Sequence, residues 1–275
     1  MADIKQTKTY KNPTKVQDTP QNESGLDVLV QQMITDSKTS LDNKNYEQAV
    51  NCYEIGVSFE SKSRILHVYG GSAYFNLKKY NDASRVLKKA KELSDTVQEK
   101  EEVFEMLIPS LINLKEYSAV LELSTERIKN IKQGNPENAK IHYTHAFILY
   151  KLGNFVESSR YTSLALQENT KSGQAWYLLG NNLLKMNNPK NALVAFGQAL
   201  TNKCTNLELI YGMAIAYAKL DKKESCFRAL QTCIRKDVRY RTIIRETPDF
   251  SKFISDVEFA KLTAPTGTTM IRKKQ

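Results

Sequence analysis

The chain has 275 residues, 40 lysines and arginines against 30 acids (a formal charge of +10), 41% apolar residues, and only 11 glycines and 7 prolines. Such a length fits one long domain or two ordinary ones, and the scarcity of glycine and proline disfavours a β-rich or collagen-like chain. With no apolar run of about eighteen residues no membrane span is expected, and the start MADIKQTKTYKNPTKVQ lacks both the apolar core of a secretory signal and the arginines of a transit peptide.

Residues 1–23 and 263–275 are polar, rich in Lys, Thr, Gln and Asn, and are expected to be disordered. Between them the sequence repeats. Met33, Ser40, Ala49, Tyr53 and Gly56 return 34 positions later as His67, Tyr74, Ala83, Leu87 and Ala90, with Gly70-Gly71 between them. The turns NKNYEQA, LKKYNDA, LKEYSAV and LGNFVES place Tyr46, Tyr80, Tyr117 and Phe155 just before a second helix. Leu149, Ser158 and Ala165 keep the pattern, as do Tyr217, Cys226, Leu230 and Cys233 further on. The clearest copy is AWYLLGNNLLKMNNPKNALVAFGQAL at 175–200. Trp176, Leu179-Gly180 and Leu183 form one helical stripe, Ala192, Phe196 and Ala199 a second, and Met186-Asn187-Asn188-Pro189 the turn between them.

Six repeats follow within 24–240: 30–63, 64–97, 101–134, 139–172, 173–206 and 207–240, with inserts at 98–100 and 135–138. The third departs, holding Ile108, Val120 and Arg127 in the small-residue places and Pro109 within its first helix, where a kink or break is expected. After the last repeat, Thr247-Pro248-Asp249 reads as a helix start capped by threonine, and Ser255-Asp256-Val257-Glu258 as a capping box. With Phe250, Phe253, Ile254, Phe259 and Leu262 as an apolar face, 241–262 is expected to cover the end of the array.

The spacing of Trp176, Leu179-Gly180 and Leu183, then Ala192, Phe196 and Ala199, resembles the tetratricopeptide repeat (TPR). The resemblance implies an all-α, right-handed α-solenoid of helical hairpins. It also implies a concave groove, lined by the first helix of each repeat, that takes peptide or helical segments of other proteins. On the stripe opposite the small residues lie Tyr143, Phe147, Tyr150 and Lys151, then Tyr177, Asn181 and Lys185, then Tyr211, Ile215 and Lys219. Aromatics with interspersed lysines suit a peptide with apolar anchors and acidic groups. The first half carries Ile34, Lys38, Val68, Ser72, Phe75 and Asn76 there, turning acidic at Glu102 and Glu105, which would favour one ligand orientation. Family members that bind the EEVD tails of heat-shock chaperones use a clamp of lysines, asparagines and an arginine. Ile34, Lys38, Tyr69, Glu102 and Met106 do not supply it, so no chaperone-tail clamp is expected.

Chemistry is sparse. His67, His142 and His145 occupy packing positions, and although His142 and His145 are three apart on a helix, no adjacent carboxylate or thiolate completes a metal site. Cys52, Cys204, Cys226 and Cys233 form no CxxC pair and suit small apolar fillers of a reducing, cytoplasmic or cytoskeleton-associated setting. No GxxxxGK[ST], GxGxxG or GxSxG occurs, so no enzyme, cofactor or metal is expected. Positive charge concentrates at Arg235, Lys236, Arg239, Arg241 and Arg245, with Lys5, Lys8, Lys11 and Lys15 at one end and Arg272, Lys273 and Lys274 at the other. That distribution allows an alternative, binding of a polyanion such as RNA, an acidic tubulin tail or an anionic surface, though without interleaved stacking aromatics nucleic acid is disfavoured. The expectation is a non-catalytic scaffold or adaptor within a larger transport, ciliary, cytoskeletal or cochaperone-type assembly, with its self-association left open.

Overall fold

A computed structural model describes residues 21–131, 135 and 137–264, with side chains from residue 25 onward. The expectations for 1–20 and 265–275, including the basic residues there, lie outside the described residues. Among those described, the fold is all-α, with fourteen α-helices, one 3-10 helix and no strand.

The helices fall into two compact units, 1–114 and 115–275. The first holds α1 (Gln21–Asp42), α2 (Tyr46–Phe59), α3 (Arg64–Asn76), α4 (Tyr80–Glu92) and α5 (Val97–Asn113). The second holds α6 (Tyr117–Lys129), α7 (Asn138–Lys151), α8 (Phe155–Glu168), α9 (Gly173–Lys185), α10 (Pro189–Thr201), α11 (Leu207–Lys219) and α12 (Lys223–Lys236), followed by α13 (Tyr240–Glu246), the 3-10 helix Pro248–Phe253 and α14 (Val257–Thr263). Within each unit, consecutive helices pack as antiparallel hairpins that stack on the next, as α1 with α2 and α3 with α4, or α7 with α8 and α9 with α10.

The turns explain the hairpins. In the pairs α1–α2, α3–α4, α7–α8, α9–α10 and α11–α12 a residue just after the first helix takes a positive φ: Lys44 (58°), Lys78 (59°), Gly153 (83°), Asn187 (55°) and Asp221 (57°); Lys115, after α5, does the same (61°). In α3 the Lys78 amide donates to the Phe75 carbonyl and the Lys79 amide to the Tyr74 carbonyl, both at 2.9 Å. That paired pattern closes a helix C-terminus on a left-handed residue and turns the chain back on itself. The same two bonds recur at Asn187 and Asn188, and at Asp221 and Lys222. Helix starts are capped where the sequence supplies an oxygen: Ser63 accepts from the Leu66 amide, Ser172 from Ala175, and Asn206 from Leu209.

Small residues let the helices approach. A Cβ built on Gly180 would lie 2.4 Å from the Phe196 ring, and that same ring lies under Gly212 of α11. Gly70 is held as closely by the Tyr53 ring. Phe196, Ala192, Ala199 and Leu209 are fully buried around this contact.

Several expectations need correction. Gln21–Glu23 belong to α1, because that helix extends well upstream of the repeat pattern. Pro109 does not break its helix: α5 runs unbroken from Val97 to Asn113, with the Ser110 hydroxyl donating to Met106 O (2.7 Å) and the Asn113 side chain to Pro109 O (2.9 Å). Thr247 stands at the start of the 3-10 helix but does not cap it, since its hydroxyl donates backward to Ile243 O at 2.7 Å. The cap of α14 is Asp256 and not Ser255, its carboxylate accepting from the Glu258 and Phe259 amides. Asp256 also pairs with Lys223 of α12, tying the end segment to the last long helix.

Candidate partner-binding groove

The aromatic and basic groove residues expected in the second half of the sequence lie in the second unit, on α7, α9 and α11, and those expected in the first half lie on α1, α3 and α5 of the first unit. On α7, Tyr143 stacks on Phe147 (ring centroids 6.5 Å apart) and Lys151 Nζ sits 5.1 Å over the Phe147 ring. Tyr150 packs against Phe155. On α9, Tyr177 leans on Phe196, which ties the groove wall to the small-residue seam behind it. The i, i+4 spacing of Tyr177, Asn181 and Lys185 puts the three on one stripe.

Seven of the expected residues meet in one pocket of about 380 Å³: Tyr150, Tyr177, Asn181, Lys185, Tyr211, Ile215 and Lys219. Leu184, Gly212 and Ile215 line its apolar side. Tyr143, Phe147 and Lys151 do not reach it. Two acids also line the pocket, Glu208 from the first turn of α11 and Asp249 from the 3-10 helix. Asp249 escapes sequence reasoning because it arrives from 30 residues beyond Lys219, and only the fold of the end segment brings the two together.

That end segment occupies part of the expected surface. Tyr211 rests edge-on against Tyr240 (5.3 Å) and Phe250 (5.9 Å), and its hydroxyl hydrogen-bonds the Thr247 hydroxyl. Lys219 Nζ pairs with Asp249 Oδ1 at 3.0 Å. Both side chains are therefore engaged within the chain, whereas Lys185 is exposed and has no ion-pair partner among the described residues. Burial raises the pKa of the Tyr143, Tyr150, Tyr177 and Tyr211 phenols, so at neutral pH all four are uncharged hydrogen-bond donors. In the first unit, Glu102 is not an uncommitted acid: Arg64 reaches it at 2.8 Å and Glu99 at 3.2 Å.

The expected basic patch is dispersed. Arg239 donates bidentately to Asp237, and Arg241 donates to the Ala264 carbonyl with its Nε buried and unpartnered. Arg235 and Arg241 face a second concavity, while Lys236 and Arg245 are exposed.

The histidines have structural partners. His67 bridges the Tyr53 hydroxyl (3.3 Å) and Ser61 O (2.9 Å), and Trp176 makes the matching bond, its indole N–H donating to Thr170 O at 2.8 Å. In both cases the ring reaches the carbonyl six residues upstream. His145 Nδ1 meets the Ser124 hydroxyl at 2.8 Å, and burial, reinforced by nearby positive groups, pushes its pKa down to about 4. The fold does bring a carboxylate to His142, that of Glu168 at 3.1 Å from the facing helix α8. Among the described residues no group of three His, Cys, Asp or Glu side chains is placed to hold a metal ion.

Hairpins closed by left-handed turns, small residues under bulky rings, and a groove on the first helices define an α-helical repeat array. Residues 64–96 and 173–203 match the tetratricopeptide repeat model, and the fourteen helices fit about six such repeats: the chain carries tetratricopeptide repeats. A comparison with curated protein sequences finds no match. Among solved structures, the chain is similar to YrrB, described as a TPR protein with an unusual peptide-binding site (TM-score 0.58, 16% identity, 65% of this chain and 89% of that one). It is similar to PilF of Pseudomonas aeruginosa (0.60, 13%, covering 81% and 100%) and to MamA of Desulfovibrio magneticus RS-1 (0.56, 15%, covering 64% and 95%). At these identities the likeness concerns the fold.

Proposed function

We propose that the protein is a non-catalytic scaffold that holds an extended or helical segment of another protein in the groove of its second unit. The observation that supports this reading most directly is the convergence of three phenols, Asn181 and Lys185 on one pocket of about 380 Å³. Uncharged phenols offer flat apolar contact with a polar tip, Asn181 can bond a ligand backbone, and Lys185 can meet an acidic group. YrrB, with the same fold, is described as having a peptide-binding site. No helix among the described residues is long and apolar enough to cross a membrane. The reading makes the protein an adaptor in the cytoplasm, one subunit of a larger assembly. Binding of a polyanion by the basic end is the weaker reading, because Arg239 and Arg241 are committed within the chain.

The test is capture of partners from native extract across a salt series, comparing wild type with Asn181→Ala/Lys185→Glu. Both side chains are at the pocket surface, so the fold should survive. Retention of a discrete protein set by the wild type at moderate ionic strength, lost in the variant, is the expected result. If wild type and variant retain the same material and salt removes it, the groove is not the binding site.

A further inference from the structure

The last long helix of the array presents a second concavity, separate from the partner groove. Cys226, Leu230 and Cys233 turn one stripe of α12 into the core. The neighbouring stripe, Glu224, Phe227, Arg228, Gln231, Ile234 and Arg235, follows the i, i+3, i+4, i+7, i+10, i+11 spacing of one helix face. It opens into a groove of about 830 Å³ between α12, α13 and α14. Phe227 and Ile234, both largely buried, form the floor, Phe227 edge-on to Phe253 (5.2 Å) and tilted against Phe259 (5.8 Å), and the more open Val238 and Leu262 complete the apolar lining. Val238 is 50% exposed, a large apolar side chain left facing water.

The rim is cationic. Arg228, Arg235, Arg241 and Lys261 line it against Glu224 and Glu258, and Arg228, Arg235 and Lys261 have no ion-pair partner among the described residues. Arg241 keeps a buried Nε without an acceptor. A helix roughly 10 Å across, rising about 1.5 Å per residue, fills such a volume with about two turns. The chain's own tail is a poor occupant. Residues 265–275 carry Arg272, Lys273 and Lys274 and no acid, so a rim of like charge disfavours them.

We propose that this end groove is a docking seat for an acidic amphipathic helix of a partner protein, its apolar stripe on Phe227, Ile234 and Val238 and its carboxylates on Arg228, Arg235 and Lys261. The seat lies apart from the pocket at Tyr177, so the chain engages two partner segments at two surfaces.

Fluorescence anisotropy tests this on the full chain. The probe is a designed, labelled amphipathic peptide of about 14 residues, leucines on one face and glutamates on the other; a lysine-faced counterpart and a poly-glutamate of equal length are controls. Saturable binding of the acidic helix is expected, weakened at least tenfold by Arg228→Glu/Arg235→Glu and by Val238→Asp, and unchanged by Asn181→Ala/Lys185→Glu. The lysine peptide should not bind. Should circular dichroism show the charge-reversed variant unfolded, Arg228→Gln/Arg235→Gln replaces it with the same expectation in smaller degree. No saturable binding, or binding indifferent to these substitutions, overturns the proposal. Equal binding of poly-glutamate with no effect of Val238→Asp also overturns it, reducing the site to a general polyanion surface. So does concentration-dependent self-association by sedimentation that the same substitutions abolish, which would make the occupant a second copy.

Discussion

Four of the six turns after α1, α3, α5, α7, α9 and α11 hold a lysine or aspartate at positive φ, where an L side chain crowds the following carbonyl. Lys78→Gly should relieve that strain, partly offset by the greater freedom glycine gives the unfolded chain, for a net gain of about 0.5–1 kcal/mol in a urea titration. A loss of stability would mean the Lys78 side chain contributes contacts that outweigh the strain. Gly180 is the opposite case. A Cβ there would meet Phe196 at 2.4 Å, in a core with no slack, so Gly180→Ala should cost about 1–3 kcal/mol. In Gly180→Ala/Phe196→Leu the two costs should be clearly less than additive, since the smaller side chain makes room. His145 sets a pH dependence. Its folded pKa of about 4 lies below the ordinary 6.5, so the folded state binds fewer protons than the unfolded chain between those values. Stability from this group is therefore complete above about pH 6.5 and declines as pH falls towards 4. Urea midpoints measured at pH 7 and pH 5 should separate more in wild type than in His145→Asn, and an equal separation would remove His145 as the cause.

At the level of elements, the end segment has two tasks. Phe250, 1% exposed, and Phe259, 2% exposed, cover the last hairpin, and Thr247 and Asp249 engage Tyr211 and Lys219 at the edge of the pocket. Phe250→Ala should cost about 3–5 kcal/mol by leaving a cavity beneath Tyr211, read as a lowered thermal midpoint. The general nature of this segment was legible in its aromatic spacing. Its caps were not, because Ser255 and Asp256 are both competent cap residues and only the turn that bonds the Asp256 amide to Phe253 O decides between them. Pro109 shows the same limit. Local rules expect a kink or break, yet α5 continues through it, with Val103, Phe104, Leu107 and Leu111 buried on both sides of the proline.

On the scale of the molecule, each unit is a stack in which a hairpin meets chiefly its neighbours, so perturbations should stay local. Hydrogen exchange of Gly180→Ala should show lost protection in α9, α10 and α11 while α2, α3 and α4 keep wild-type values. Uniform loss across α2 to α12 would show that the chain unfolds as a single cooperative body.

What the sequence by itself determined is the repeating unit: its helices, its turns, and the small residues opposite Phe196 and Tyr53. These follow from a 3.6-residue period and from turn chemistry, both local, so they can be read from spacing alone. The tertiary structure decided which of those surfaces are available. It placed Asp249 on Lys219 and Thr247 on Tyr211, brought Glu168 to His142, and split the basic run 235–245, setting Arg235 and Arg241 with Arg228 and Lys261 around one groove beside α12. Such pairings join residues some 20 to 40 positions apart, and their geometry depends on how hairpins stack and how the end segment folds back. No periodicity within a single helix carries that information.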